Sequence, residues 1–204
     1  MMAMVSNLSG GGFHYLAGRF PGRIGHLYSP DGWHNPRKWM PYALDNGAFT
    51  GFNERAFFGM LEKAKLSGFK PRWVAVPDVV SDREGTLRAW ETYWQRVADY
   101  GWPLAFVVQD GMTPKDVPED AAVVFVGGSM GWKCQTLEEW CRSFDRVHIG
   151  RINTERLLWV CHDAGAESVD GTGWWHDRQF ADLEKYLETA TDVRRRQVQL
   201  AFGR

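Results

Sequence analysis

Ala166-Glu167-Ser168-Val169-Asp170-Gly171-Thr172-Gly173-Trp174-Trp175 decides how the chain is read. A short apolar approach through Ala166 and Val169 runs into Asp170, glycines then turn the chain, and two tryptophans follow. A carboxylate at the exit of a buried strand, on a glycine turn beside aromatic surface, is how a barrel or open α/β sheet displays a reactive acid. Taken alone, the same residue would only bond the backbone of its own turn. The other strand ends choose between these readings.

Upstream the pattern recurs. Tyr42-Ala43-Leu44 ends at Asp45-Asn46-Gly47, and Trp73–Val76 ends at Pro77-Asp78. Leu104–Val108 ends at Gln109-Asp110-Gly111, Ala121–Val126 at Gly127-Gly128-Ser129, and Arg146–Ile149 at Gly150-Arg151. Helical patterns lie between. Asn53 caps one carrying Phe57, Met60, Leu61 and Ala64, and Asp82 caps one carrying Leu87, Trp90, Tyr93, Trp94 and Val97. Thr136–Phe144 reads as a third, a segment capped by Asn153 or Thr154 as a fourth, and Asp177–Thr189 as the last. Phe13–Ala17 and Ile24–Tyr28 supply one or two weaker strands. Residues 1–12, small and glycine-rich, read as flexible, and 190–204 as a basic tail. Strands alternating with helices imply right-handed βαβ units and a parallel sheet. The expected fold is α/β: a compact (β/α)8 TIM-like barrel forming one catalytic domain over 1–204, with an open doubly wound sheet as the alternative.

Composition narrows the function classes. With 44% apolar residues the 204-residue chain can build a core and is not disordered. Eleven tryptophans provide large rigid apolar area, some of it suited to stacking on flat ligands. A net charge of −1 gives no global attraction to nucleic acid, so such a partner needs a local basic patch. Candidates are Arg19, Arg23, Arg37 and Lys38, then Lys133, Arg142, Arg146 and Arg151, then Arg194-Arg195-Arg196. Cys134, Cys141 and Cys161 lack close metal-ligand spacing, so no metal or cofactor is expected and reduced thiols in a cytoplasmic protein are. No signal peptide and no apolar run near the ~18 residues of a membrane span are visible, so no membrane partner is expected.

In a parallel α/β fold the carboxyl ends of the strands share one face, where ligand binds. That face would carry Asp45, Asp78, Gln109, Gly127-Gly128, Gly150 and Asp170. This set suits a purine-like base: Asp accepts from ring N–H and amino groups, while Gln109 and backbone N–H groups near Gly128 and Ser129 donate to a carbonyl oxygen. Phe49 could stack on it. Asp45 and Asp170 remain for covalent work at a sugar carbon, one attacking and the other managing protons.

The order of these motifs resembles the tRNA-guanine transglycosylase superfamily. Its Asp-Ser-Gly-Gly-aromatic-Gln is echoed by Asp45-Asn46-Gly47-Ala48-Phe49-Thr50, and its next strand-end Asp by Asp78 in Val-Pro-Asp. Its Val-Gln-Gly is similar to Val108–Gly111, its Gly-Gly-Leu to Gly127-Gly128-Ser129, and its Met-Gly and Thr-Pro-Glu segments to Ile149–Glu155. Its Gly-Val-Asp-x-Phe-Asp is similar to Gly165–Asp170. The likeness covers roughly Tyr42–Trp175. The zinc site of the tRNA enzymes, three clustered cysteines and a distant histidine, has no counterpart. The chain therefore looks more like the short phage-type DNA transglycosylases.

That resemblance implies a (β/α)8 barrel that exchanges guanine in DNA for a 7-deazaguanine such as preQ0, protecting a phage genome from nucleases in the host cytoplasm. It implies Asp170 as nucleophile on C1′ and Asp45 as proton-handling partner. Asp78, Gln109, Gly128, Ser129 and Gly150 would bind the base, between Phe49 and Ile149. Lys133, Arg151 and Trp174 would hold the nucleic acid, DNA rather than tRNA. A hydrolytic DNA glycosylase or nucleosidase, a tRNA-guanine transglycosylase and a non-catalytic nucleic-acid-binding barrel are the competing readings.

Overall fold

Alternation along the strands sorts the apolar residues into two layers, and that sorting builds the barrel. The computed structural model describes residues 1–6, 11–176 and 180–202. Its strands are β1 (Met2–Ser6), β2 (Ile24–Tyr28), β3 (Tyr42–Leu44), β4 (Val74–Ala75), β5 (Leu104–Val108), β6 (Val123–Val126), β7 (Val147–Ile149) and β8 (Ser168–Gly171). Each pairs in parallel with the next, and β1 also pairs with β8, Met4 opposite Asp170. The sheet is therefore a closed barrel, and the open alternative is excluded.

Met2, Met4, Leu27, Ala43, Trp73, Ala75, Ala105, Val107, Val123 and Phe125 form one buried cluster. These are the inward positions, two residues apart on each strand. The outward positions, such as Tyr42, Leu44, Val124, Val126, Val147, Ile149 and Val169, join a larger cluster with the helices. Those helices are α1 (Gly11–Arg19), α2 (Glu54–Leu66), α3 (Arg83–Ala98), α4 (Met130–Ser143), α5 (Glu155–Asp163), α6 (Gly173–His176) and α7 (Phe180–Phe202). Between β2 and β3, and between β5 and β6, the chain makes only a 3-10 turn, Pro30–Gly32 and Pro114–Asp116. These short crossovers let 204 residues close eight strands.

Caps set the helix starts. Asn53, Asp82, Ser129 and Thr154 each accept a backbone N–H in the first turn of the helix that follows, at Ala56, Gly85, Trp132 and Leu157. Such a cap contributes about 1 kcal/mol. The Ser129 cap starts α4 at Met130, earlier than the expected Thr136. Of the two caps offered for α5, Thr154 serves; Asn153 accepts from the Gly173 N–H at 2.8 Å instead.

The N-terminal expectations are corrected. Met2–Ser6, read as flexible, is the strand that closes the barrel, because Met2 and Met4 fill its interior while Ala3 faces out. Of the rest of that stretch, 7–10 lie outside the described residues, and Gly11 and Gly12 open α1. Phe13–Ala17, read as a strand, lies in α1 with Phe13, Leu16 and Ala17 buried, the i, i+3, i+4 spacing of one helical face. The last helix runs beyond its expected end at Thr189. Nothing between Thr189 and Phe202 breaks a helix, and α7 continues through that stretch. Residues 177–179, the expected start of that helix, lie outside the described residues, as do the side chains of Arg194, Arg195 and Arg196.

At the amino end of the strands, Glu167 accepts two hydrogen bonds from Arg146, at 2.7 and 3.0 Å, and one from Arg72. Burial raises the Glu167 pKa, but the two guanidiniums outweigh it and hold the carboxyl at about 2. Arg19 pairs with Glu184 and Glu188 of α7. Arg19 and Arg146 thus serve the scaffold. No helix among the described residues is long and apolar enough to cross a membrane.

Candidate active site

Continuing the inward register past the ends of β3, β5, β6 and β7, and along β8, brings Asp45, Gln109, Gly127, Gly150 and Asp170 to one mouth, with Asp78 after β4. They line a single cavity of about 280 Å³, close to the lower end of the ~300–1,000 Å³ typical of ligand clefts. Its apolar lining comes from inward residues one step lower, Leu27, Val107 and Phe125. Phe49, Val80 and Arg151 also line it. This is the face on which such barrels bind ligand.

Asp78 is buried, and each carboxylate oxygen accepts a side-chain amide: Asn46 Nδ2 to Oδ1 at 2.8 Å and Gln109 Nε2 to Oδ2 at 2.7 Å. Burial pushes its pKa up to about 6 against those donors. Gln109 Oε1 accepts the N–H groups of Ser81 (3.0 Å) and Gly128 (3.2 Å), which fixes the orientation of the amide. Asp45 is half-buried. Burial first, then the negative charges of Asp170 and Asp78, push its pKa up to about 7, although the Asn46 and Gly47 N–H groups pull the other way.

Asp170 is buried, with two donors on one oxygen. His148 Nε2 lies 3.1 Å from Oδ1, and the Arg151 N–H donates to the same atom at 3.3 Å. Among the described residues no donor reaches Oδ2. Arg151 holds φ of 61° to aim that N–H, and Ser81 holds the same angle to aim its own at Gln109. These are the only non-glycine residues with positive φ among those described, both beside the cavity; strain of ~1–3 kcal/mol each is characteristic of functional loops. Gly150 has no room for a side chain: a Cβ there would lie 2.7 Å from the Phe125 ring and 3.4 Å from Asp170 Oδ1.

Of the expected site residues, Asp45, Asp78, Gln109, Phe49, Gly128, Gly150, Arg151 and Asp170 line the cavity. Four do not. Ile149 sits on the outward face of β7 among the helices, so it cannot sandwich a ligand; Phe125 is the ring inside. The Ser129 N–H is spent on Asp110 at 2.6 Å and its hydroxyl caps α4. Lys133 is buried under the rim, its ammonium donating to the Gly150 carbonyl. Burial, then the charge of Arg151, lowers its pKa to about 8. Trp174 is wholly buried because α6 turns it into the core, where Gly171 must lack a side chain: a Cβ would lie 2.8 Å from the Trp174 indole nitrogen. Phe49 stands at the rim, 67% exposed, with the Arg151 guanidinium 5.1 Å from its ring centre.

The residues missed are His148, Ser168 and Asn46 as a positioning group. Their signal was parity: two residues before Gly150 and Asp170, the inward positions are His148 and Ser168.

No protein-family model and no curated protein sequence matches the chain. Solved structures do. A mutant tryptophan synthase alpha-subunit from the hyperthermophile Pyrococcus furiosus aligns with TM-score 0.57 at 12% identity, covering 92% of this chain and 95% of that one. A native KDPGal structure aligns at 0.54 and 12% identity, covering 94% and 95%. A 3-hexulose-6-phosphate synthase gives 0.51 at 12% identity, covering 93% and 99%. The fold is a TIM barrel. At such identity the likeness concerns the backbone, and the chemistry must come from the cavity.

Proposed function

We propose that the protein is a transglycosylase that exchanges guanine in DNA for a 7-deazaguanine base through a covalent Asp170 intermediate. One observation carries the reaction class: a carboxyl held near pKa 7, Asp45, shares a cavity with a second carboxyl, Asp170, whose Oδ2 meets no donor among the described residues. An acid that keeps its proton beside a second carboxyl can divide the roles of proton donor and nucleophile with it. The order of motifs from Asp45 to Asp170 supports the choice of base and of nucleic acid.

The chemistry follows from these placements. Asp170 Oδ2 attacks C1′, the bond from C1′ to the base nitrogen breaks with its electron pair leaving on guanine, and protonated Asp45 supplies the proton that neutralises it. The 7-deazaguanine then enters, gives its ring proton to Asp45 and attacks C1′; the ester bond breaks and its pair returns to Asp170. Asp78, oriented by Asn46 and Gln109, accepts from the base edge. Phe49 and Arg151 at the rim offer a stacking face and a phosphate contact, the arrangement single strands and flipped nucleotides use.

Incubation with a guanine-containing oligonucleotide and labelled preQ0, followed by digestion to nucleosides, tests this. Label in a deoxynucleoside supports exchange. Abasic sites without label would mean hydrolysis, and intact DNA would refute both.

A further inference from the structure

We infer that His148 is a positioning residue for Asp170, held in its Nε2–H form by Ser168, so that this three-residue relay and not Asp170 alone constitutes the nucleophile. The inference rests on the transglycosylase reading for the reaction and on geometry for the relay.

His148 lies on β7 directly opposite Ser168 on β8, and Asp170 is the next inward residue along β8. Its imidazole is completely buried. Nδ1 is 2.8 Å from Ser168 Oγ and Nε2 is 3.1 Å from Asp170 Oδ1. The ring is walled by Phe125 and Trp73, with ring centres 4.6 and 4.7 Å away. An apolar box of this kind holds a polar ring only because both nitrogens are satisfied.

In the proposed direction of the bonds a carboxylate only accepts, so Nε2 carries the hydrogen, and with Nδ1 as acceptor the Ser168 hydroxyl donates to it. Two consequences follow for Asp170. Its Oδ1 is pinned by His148 and the Arg151 N–H, which leaves Oδ2 without a donor among the described residues. In the second half of the reaction the same two donors stabilise the charge returning to the departing carboxylate, so losing His148 slows release of the covalent intermediate as well as its formation.

Three variants and one spectrum test this. His148→Phe fills the box but has no donor; kcat for preQ0 incorporation is expected to fall about 100-fold, the scale of a misplaced reacting group, with KM little changed. His148→Gln places an amide N–H near the Nε2 position and is expected to recover roughly tenfold of that loss. Ser168→Ala frees the ring to change form and is expected to lower kcat about tenfold. The imidazole 15N spectrum of the wild-type protein should show the Nε2–H form at His148, and Ser168→Ala should mix in the other. Wild-type turnover with kcat unaltered in His148→Phe would overturn the relay, and so would a wild-type spectrum of the Nδ1–H or doubly protonated ring. If the wild-type chain incorporates no preQ0, the transglycosylase reading fails, and the spectra alone decide the relay.

Discussion

Asp45 shares one small cavity with two other carboxyl groups, Asp78 and Asp170. Asp45 is surrounded by buried apolar surface and two other acids, so its proton stays on to about pH 7. Asp170 is clamped by N–H donors on one oxygen. On the proposed mechanism turnover should therefore decline as pH rises through about 7, where Asp45 gives up the proton that the mechanism assigns to the departing base. Asp45→Asn should lower kcat on the order of 10²–10⁴-fold, the usual contribution of a positioned acid, and abolish that decline in a pH–rate profile. The same residue has a stability signature. Its pKa is higher folded than unfolded, so the folded chain binds the proton more tightly, and stability falls between about pH 4 and pH 7 as the proton is lost. Asp45→Asn should melt above the wild type by roughly 2–4 °C at pH 8 for each kcal/mol recovered, with the gap shrinking at pH 4. Scanning calorimetry at the two pH values checks the sign.

Strand ends are where the sequence was most legible. Short apolar runs stopping at Asp45, Asp78, Gln109, Gly150 and Asp170 pointed to the residues that line the cavity, because inward parity and turn chemistry coincide there. Parity also explains the misplaced residues. Ile149 adjoins Gly150 in sequence but faces the opposite side of β7, while His148, unremarkable in a run of apolar residues, faces the site. Trp174 and Lys133 carry the chemistry of a nucleic-acid surface, but their burial depends on how α6 and α4 pack, which no local pattern states. At the N-terminus a five-residue strand beside a glycine run was read as loose chain, since its reward, closing the barrel between β2 and β8, is non-local. Gly150 marks the closest meeting of elements. Gly150→Ala would drive a methyl into Phe125 and toward Asp170 Oδ1, so turnover should drop about 10²-fold while the protein still folds, as activity and melting measured on one preparation would show.

Across the whole barrel the two ends have different duties. The carboxyl end of the strands carries strained backbone, acids whose pKa burial raises at Asp45 and Asp78, and an exposed aromatic; the amino end carries Glu167 locked between Arg72 and Arg146. Glu167 is held at about 2, below its unfolded value, so the stability it contributes is complete above about pH 4.5 and is lost as pH falls toward 2. Glu167→Gln should cost about 1–3 kcal/mol at pH 7 and less at pH 3 by urea unfolding, with kcat/KM unchanged because the site lies at the other end. The central claim is that Asp170 becomes covalently joined to the sugar. The direct measurement is denaturing mass spectrometry of the protein incubated with guanine-containing DNA and no free base, followed by peptide mapping. The expected result is a DNA adduct on the peptide bearing Asp170, absent in Asp170→Asn and discharged by adding preQ0. Guanine release with no adduct, or an adduct that survives Asp170→Asn, would contradict the account.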